Sequence, residues 1–227
     1  MRTLSNNVGL TLAVRAASAA AFTLLVASLS GCVTSATATR ASTVSDADFA
    51  RLAASQTEDV DEARAQLAAA HDELGRARLG VVNGQHEGDF ARSDQATASA
   101  EQSRAATETK VGQDSNEPTQ LRQARDDTRA AQRGKDAADA RLAYSKKLDV
   151  SLAAQVTAAE RKVELMAAKV NLAKLQALEH AEIPAAGKYD RAAAEKGVAE
   201  AQRAHATAVA AATEAALAAD RLRPAQP

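Results

Sequence analysis

From Phe49 onward the apolar residues of this chain recur in alternating steps of four and three. The seam reads Phe49, Ala53, Gln56, Val60, Ala63, Leu67, Ala70, Leu74, Ala77, Val81, and nine of its ten positions are apolar. A 3.5-residue period is the mark of a helix that winds against a partner helix. The composition says what kind of seam this is. Hydrophobic residues make up 46% of the chain, but most of them are Ala, and aromatics are only 2% with no Trp. Leu, Ile, Val and Phe together are about 17%, below the usual globular level. Such a chain cannot build a thick core. It can build long helices, because Ala, Leu, Arg, Lys, Gln and Glu are the best helix formers, and Ala seams let two helices approach closely.

Punctuation along the chain divides it into three helices. Ser45 is placed to cap the first, with Asp48 at the capping-box position and Val44 and Phe49 at the two places of a hydrophobic staple. That helix is expected over about 45–111. Asn83, Gly84 and Gly88 are a weak spot at 83–89, since a helix-interior Gly costs about 1 kcal/mol relative to Ala. The register nevertheless passes through Ala91, Ala98 and Ala105, so the helix either restarts near Phe90 or runs on. Gly112 to Glu117 is a turn, and Pro118 suits the first turn of a second helix over 118–182. Its seam includes Leu121, Ala124, Ala131, Ala138, Leu142, Leu152, Val156, Ala159, Val163, Met166, Val170, Ala173 and Ala177. Thr128, Lys135, Ser145 and Asp149 interrupt it. Leu165, Leu172, Leu175 and Leu178 widen the apolar face near its end, which predicts contact with more than one helix there. Ile183, Pro184 and Gly187 break the chain, and Asp190 is placed to cap a third helix over 190–222. The third seam is nearly all Ala: Ala194, Ala201, Ala204, Ala208, Ala211, Ala215 and Ala218. Pro224 stops it, and 224–227 is read as a disordered tail. The expected fold is all-α, a long antiparallel helical hairpin or three-helix coiled coil over 45–223. The third helix folds back on the wide end of the hairpin.

The beginning of the chain has a different character. Arg2 and Arg15 precede and open an apolar run, Ala16 to Leu29, which is short for a membrane span of about 20 residues. The run closes on Leu29-Ser30-Gly31-Cys32, which holds the only cysteine. A positive start, an apolar middle and small residues before a cleavage point are the parts of an export signal. With the cysteine at that place, residues 1–32 resemble the signal peptide and lipobox of bacterial lipoproteins. The resemblance implies cleavage before Cys32, with Leu29, Ser30 and Gly31 recognised by the signal peptidase. It also implies a diacylglycerol thioether and an N-acyl chain on Cys32 as the only cofactor-like groups. In that family the residue after the cysteine influences sorting, and Val33 rather than Asp points to the outer membrane. Residues 32–44, rich in Ser, Thr and Ala, then form a flexible tether between lipid and body. Arg2 and Arg15 leave with residues 1–31 and no acid does, which moves the net charge from −1 to −3.

No other stretch points to chemistry. The histidines are His71, His86, His180 and His205; no two are spaced i,i+4, and there is no HExxH, phosphate loop, GxGxxG or GxSxG. Carboxylate pairs such as Asp126-Asp127 read as solvated helix faces, and Tyr144 and Tyr189 as packing or surface residues. Tyr189, just before the third helix, is placed to pack against the Ile183 turn. Basic residues are interleaved with acids and have almost no aromatic platform, so nucleic acid is not an expected partner. No catalytic, metal or small-molecule site is expected. The sequence points to a structural or interaction lipoprotein of the cell envelope, with a periplasmic coiled-coil body. The alternative is a coiled-coil adaptor subunit of an envelope transport or secretion assembly. Partners would be the membrane, and an envelope-protein helix or a second copy, since Ala seams suit intramolecular and intermolecular pairing alike.

Overall fold

The computed structural model describes residues 43–115 and 117–224. These form a short helix α1 (Asp46–Phe49), a 3-10 turn (Ala54–Gln56), and a long helix α2 (Glu58–Asp114). Then follow a second long helix α3 (Pro118–His180), a 3-10 segment (Pro184–Lys188), and α4 (Arg191–Asp220). No strand occurs among the described residues. The all-α reading holds, with an antiparallel α2–α3 hairpin and α4 laid back along α3.

The first long helix does not begin at Ser45. Ser45 does cap a helix, its hydroxyl accepting from the Asp48 amide at 3.1 Å, but that helix ends at Phe49. The chain then turns through an extended Ala53 and starts again at Glu58. The cause is tertiary. Phe49 and Val60 both pack in one cluster with Ala177 of α3. In a straight helix those two residues would stand about 16 Å apart along the axis. Only a broken chain brings both into one cluster. Val44 and Phe49 are both buried, but in adjoining clusters that share Leu52, so they do not form a staple on each other.

The suspected weak spot at Asn83 to Asp89 is uninterrupted helix. The seam of α2 runs on as Gly84, Gly88, Ala91, Gln95, Ala98, Gln102, Ala105, Thr109 and Gly112, each buried or half-buried. The glycines are seam residues. A Cβ built on Gly84 would overlap Leu152 Cδ1 of α3, so the missing side chain makes room for a leucine. The propensity cost of Gly, about 1 kcal/mol, is offset by the apolar contact it admits.

The hairpin keeps one register from end to end. Val60 meets Ala177, Glu73 pairs with Lys162, Gly84 faces Leu152, Asp94 meets Arg141, and Thr109 meets Thr128. Three of the four polar interruptions of the α3 seam, Thr128, Lys135 and Ser145, have partners close by. The hydroxyls of Thr109 and Thr128 lie 2.8 Å apart, each also close to a carbonyl of its own helix. Buried Ser145 donates to the Leu142 carbonyl, and Lys135 pairs with Asp139, which also accepts from Gln95. Arg78 and Glu160 pair at 3.1 Å and Asp94 and Arg141 at 3.3 Å across the hairpin. Exposed pairs like these contribute at most about 1 kcal/mol each, so they select alignment more than they add stability. At the turn, Pro118 opens α3 as expected.

α2 and α4 each pack along α3 and scarcely meet each other. α3 therefore carries two seams. Off the first one, Tyr144, Leu148, Ser151, Ala158, Leu165 and Leu172 keep the heptad spacing and are buried or half-buried; Ala158 shares a groove with α4, and Leu172 packs on the cluster that holds Ala194. Near Pro224 the chain reaches a groove lined by Phe90, Tyr144 and Leu148. Beyond that level the hairpin is a bare two-helix arm about 40 Å long.

Candidate functional site

The best-packed region is the end of the body where α2 begins, α3 ends and α4 begins. Leu175 and Leu178 of α3 are almost wholly buried there, at 1% and 0% exposure, together with Val44, Tyr189 and Ala194. Ile183 and Ala186 flank this cluster, so Tyr189 packs near the Ile183 turn as its position suggested. α3 closes through Glu182, whose φ of 53° is left-handed, and the Ile183 amide then donates to the Leu178 carbonyl at 3.0 Å. That reversal lets Ile183 turn inward ahead of Pro184. Asp190 caps α4, accepting from the Ala193 amide at 3.1 Å.

Onto this base the segment 43–57 is strapped. The Val44 amide donates to Asn171 Oδ1 at 2.7 Å, and the Ser45 amide to the Tyr189 hydroxyl at 3.1 Å. Tyr189 in turn donates to Asp48 Oδ2 at 2.8 Å. Asp48 is only 7% exposed. The Tyr189 hydrogen bond holds its carboxyl below the ordinary aspartate range, against the opposing effect of burial, with Lys188, Ser45 and Arg51 helping. Lys174 pairs with Asp46 at 2.6 Å and lowers that carboxyl too, first through the hydrogen bond and then through its charge. The Phe49 ring lies near two cations, Arg64 at 4.8 Å and Lys174 at 5.6 Å from its centre. The strap is thus held by buried apolar groups, a tyrosine–carboxylate bond and a ring beside two cations.

The lipobox residues Leu29, Ser30 and Gly31, the acceptor Cys32 and the signal segment 1–31 lie outside the described residues. So do most of the 32–44 tether and all of the tail but Pro224. The described chain begins at Thr43 and Val44, where it enters the body. The histidines are scattered. His71, His86 and His180 are exposed, and His205 of α4 is half-buried in a groove with Glu73 and Arg76. Among the described residues no group of three or more His, Cys, Asp or Glu is placed to hold a metal ion. None of their helices is long and apolar enough to cross a membrane. Sequence reasoning missed the Asp48–Tyr189–Ser45 clasp and Asn171. Asp48 and Tyr189 are 141 positions apart, and no local spacing could join them. No protein-family model, curated protein or solved structure matches the chain.

Proposed function

We propose that this chain is a lipid-anchored spacer of the bacterial envelope. Cys32 carries the lipid, and the helical hairpin projects into the periplasm, with the outer membrane as its seat. The strap is the observation that carries this reading. The chain arriving from Cys32 is fastened to the base, at the opposite end of the hairpin from the 112–118 turn. The 11 residues between Cys32 and Val44 reach at most about 40 Å when extended. An anchor there keeps the base within reach of the membrane and leaves the turn as the end that can extend farthest from it. At 1.5 Å per residue α3 alone spans about 95 Å. The rest of the molecule suits a spacer: a constant register, small seam residues and charge pairs that fix alignment. Anchoring draws on about 0.8 kcal/mol per buried methylene, and two or more acyl chains make it stable.

The test is intact mass together with membrane fractionation of the native chain and Cys32→Ala. A native form cleaved before Cys32, acylated and recovered with membranes, with a soluble unacylated variant, supports the reading. An unacylated native chain in the soluble fraction overturns it.

A further inference from the structure

We propose that the distal arm of the hairpin pairs with the same arm of a second copy, antiparallel, across the face of α3 that α4 leaves uncovered. This goes beyond the anchoring just described and does not depend on it.

The face continues an interface already present. Toward the turn, the second seam of α3 proceeds from Tyr144 in the same alternating steps: Arg141, Ala137, Gly134, Ala130, Asp127. All five are exposed; α4 has ended, and only Arg141 still borders the groove that Arg223 and Pro224 reach. A stretch with the spacing and residue sizes of a covered helix face therefore lies open next to the covered part. The arm also needs support. Between Gly84 and Gly112 the α2 seam holds no large apolar residue, so the hairpin buries little there on its own.

Charge decides the occupant and its direction. Asp127 stands seven residues before Gly134 and Arg141 seven after it. Two copies crossing antiparallel at Gly134 place Asp127 of each opposite Arg141 of the other, and Ala130 opposite Ala137. A parallel crossing would set Asp127 on Asp127 and Arg141 on Arg141. Arg141 already meets Asp94 at 3.3 Å within its own chain and is 59% exposed, so a second carboxylate can still approach it. A Cβ built on Gly134 would meet nothing within 4 Å, so the single chain has no packing use for a helix-weakening glycine there. Gly75 and Gly197 are equally open, but neither is flanked by opposite charges at one heptad on each side. At a two-fold crossing the absent side chain lets two backbones approach. The contact covers roughly 20 Å of helix per copy, below the about 1,200 Å² that stable specific complexes bury. The dimer is accordingly weak and concentration-dependent. Its two bases point in opposite directions.

The test is sedimentation velocity of the full-length protein in detergent, over about 1–100 µM, the range in which a contact this small should dissociate. The native chain should pass from monomer to dimer, with less dimer at high salt. Asp127→Arg or Arg141→Asp alone should raise the dissociation constant about tenfold or more, and the double exchange should restore it. Gly134→Leu should abolish the dimer while raising the melting temperature of the dilute monomer, because its site in the single chain is open. A chain that stays monomeric throughout overturns the proposal. So does a dimer that keeps its affinity in Gly134→Leu, or one that the double exchange fails to restore.

Discussion

Replacing Gly84 by Ala should separate helix propensity from seam packing. In an exposed helix interior this change stabilises by about 1 kcal/mol. Gly75, nine residues earlier in α2, is such a site, since a Cβ there meets nothing within 4 Å. Gly75→Ala should therefore gain about that amount. At Gly84 the new methyl overlaps Leu152 Cδ1, and Leu152 must shift within a packed seam. Overpacking of this kind costs about 1–3 kcal/mol, so the net effect at Gly84 lies between near zero and about 2 kcal/mol of destabilisation. The two variants should differ by about 1–3 kcal/mol, or about 2–12 °C in melting temperature for a body of this size. Thermal unfolding by far-ultraviolet circular dichroism reads the difference. A double-mutant cycle identifies the cause: with Leu152→Ala in place, Gly84→Ala should behave like Gly75→Ala. If Gly84→Ala stabilises as much as Gly75→Ala while Leu152 is present, the reasoning that makes Gly84 a packing residue is wrong.

Three further outcomes concern the base. Leu178→Ala removes a side chain with 0% exposure and should cost about 2–5 kcal/mol in urea unfolding; a loss under about 1 kcal/mol would mean the base is not the main core. Tyr189→Phe keeps the ring but removes the hydroxyl shared by Asp48 and the Ser45 amide. Hydrogen exchange of the strap amides should then quicken about tenfold or more, with little change near the 112–118 turn. The strap should also loosen in acid. The Asp46 and Asp48 carboxyls titrate below the ordinary aspartate value in the folded chain. Their contribution is therefore fully present above about pH 4 and is lost as pH falls through the lowered values. The Val44 and Ser45 amide resonances, followed by nuclear magnetic resonance down to acid, should shift toward free-chain positions only below that pH. A strap that loosens on the alkaline side instead would reverse the sign of the argument.

The two seams and the turn at Pro118 were legible because a 3.5-residue period and a proline after a Gly–Asn cluster are written into adjacent residues. The wide face at Leu165, Leu172 and Leu175 likewise told of the third helix before its position was known. The glycines left the continuity of the helix open for a physical reason. Propensity treats Gly84 as a cost to one helix, whereas its role is set by Leu152 of another. The break at Ala50 to Thr57 was hidden because Ala53 and Gln56 happen to fit the heptad spacing. What stops the helix is that Phe49 and Val60 are gathered into one cluster with Ala177. The clasp of Asp48 on Tyr189 had no local trace at all. The resemblance to a lipobox is the reverse case: it rests on the adjacent residues Leu29 to Cys32, and they lie outside the described residues.

The central claim is that the base sits at the membrane and the hairpin turn stands far from it. Neutron reflectometry of the acylated full-length protein on a supported bilayer measures this directly. An upright body should give a protein layer about 90–100 Å deep, from the rise of 1.5 Å per residue along α3. A layer only about 20–30 Å deep, two or three helix diameters, would show the body lying flat and would contradict the account.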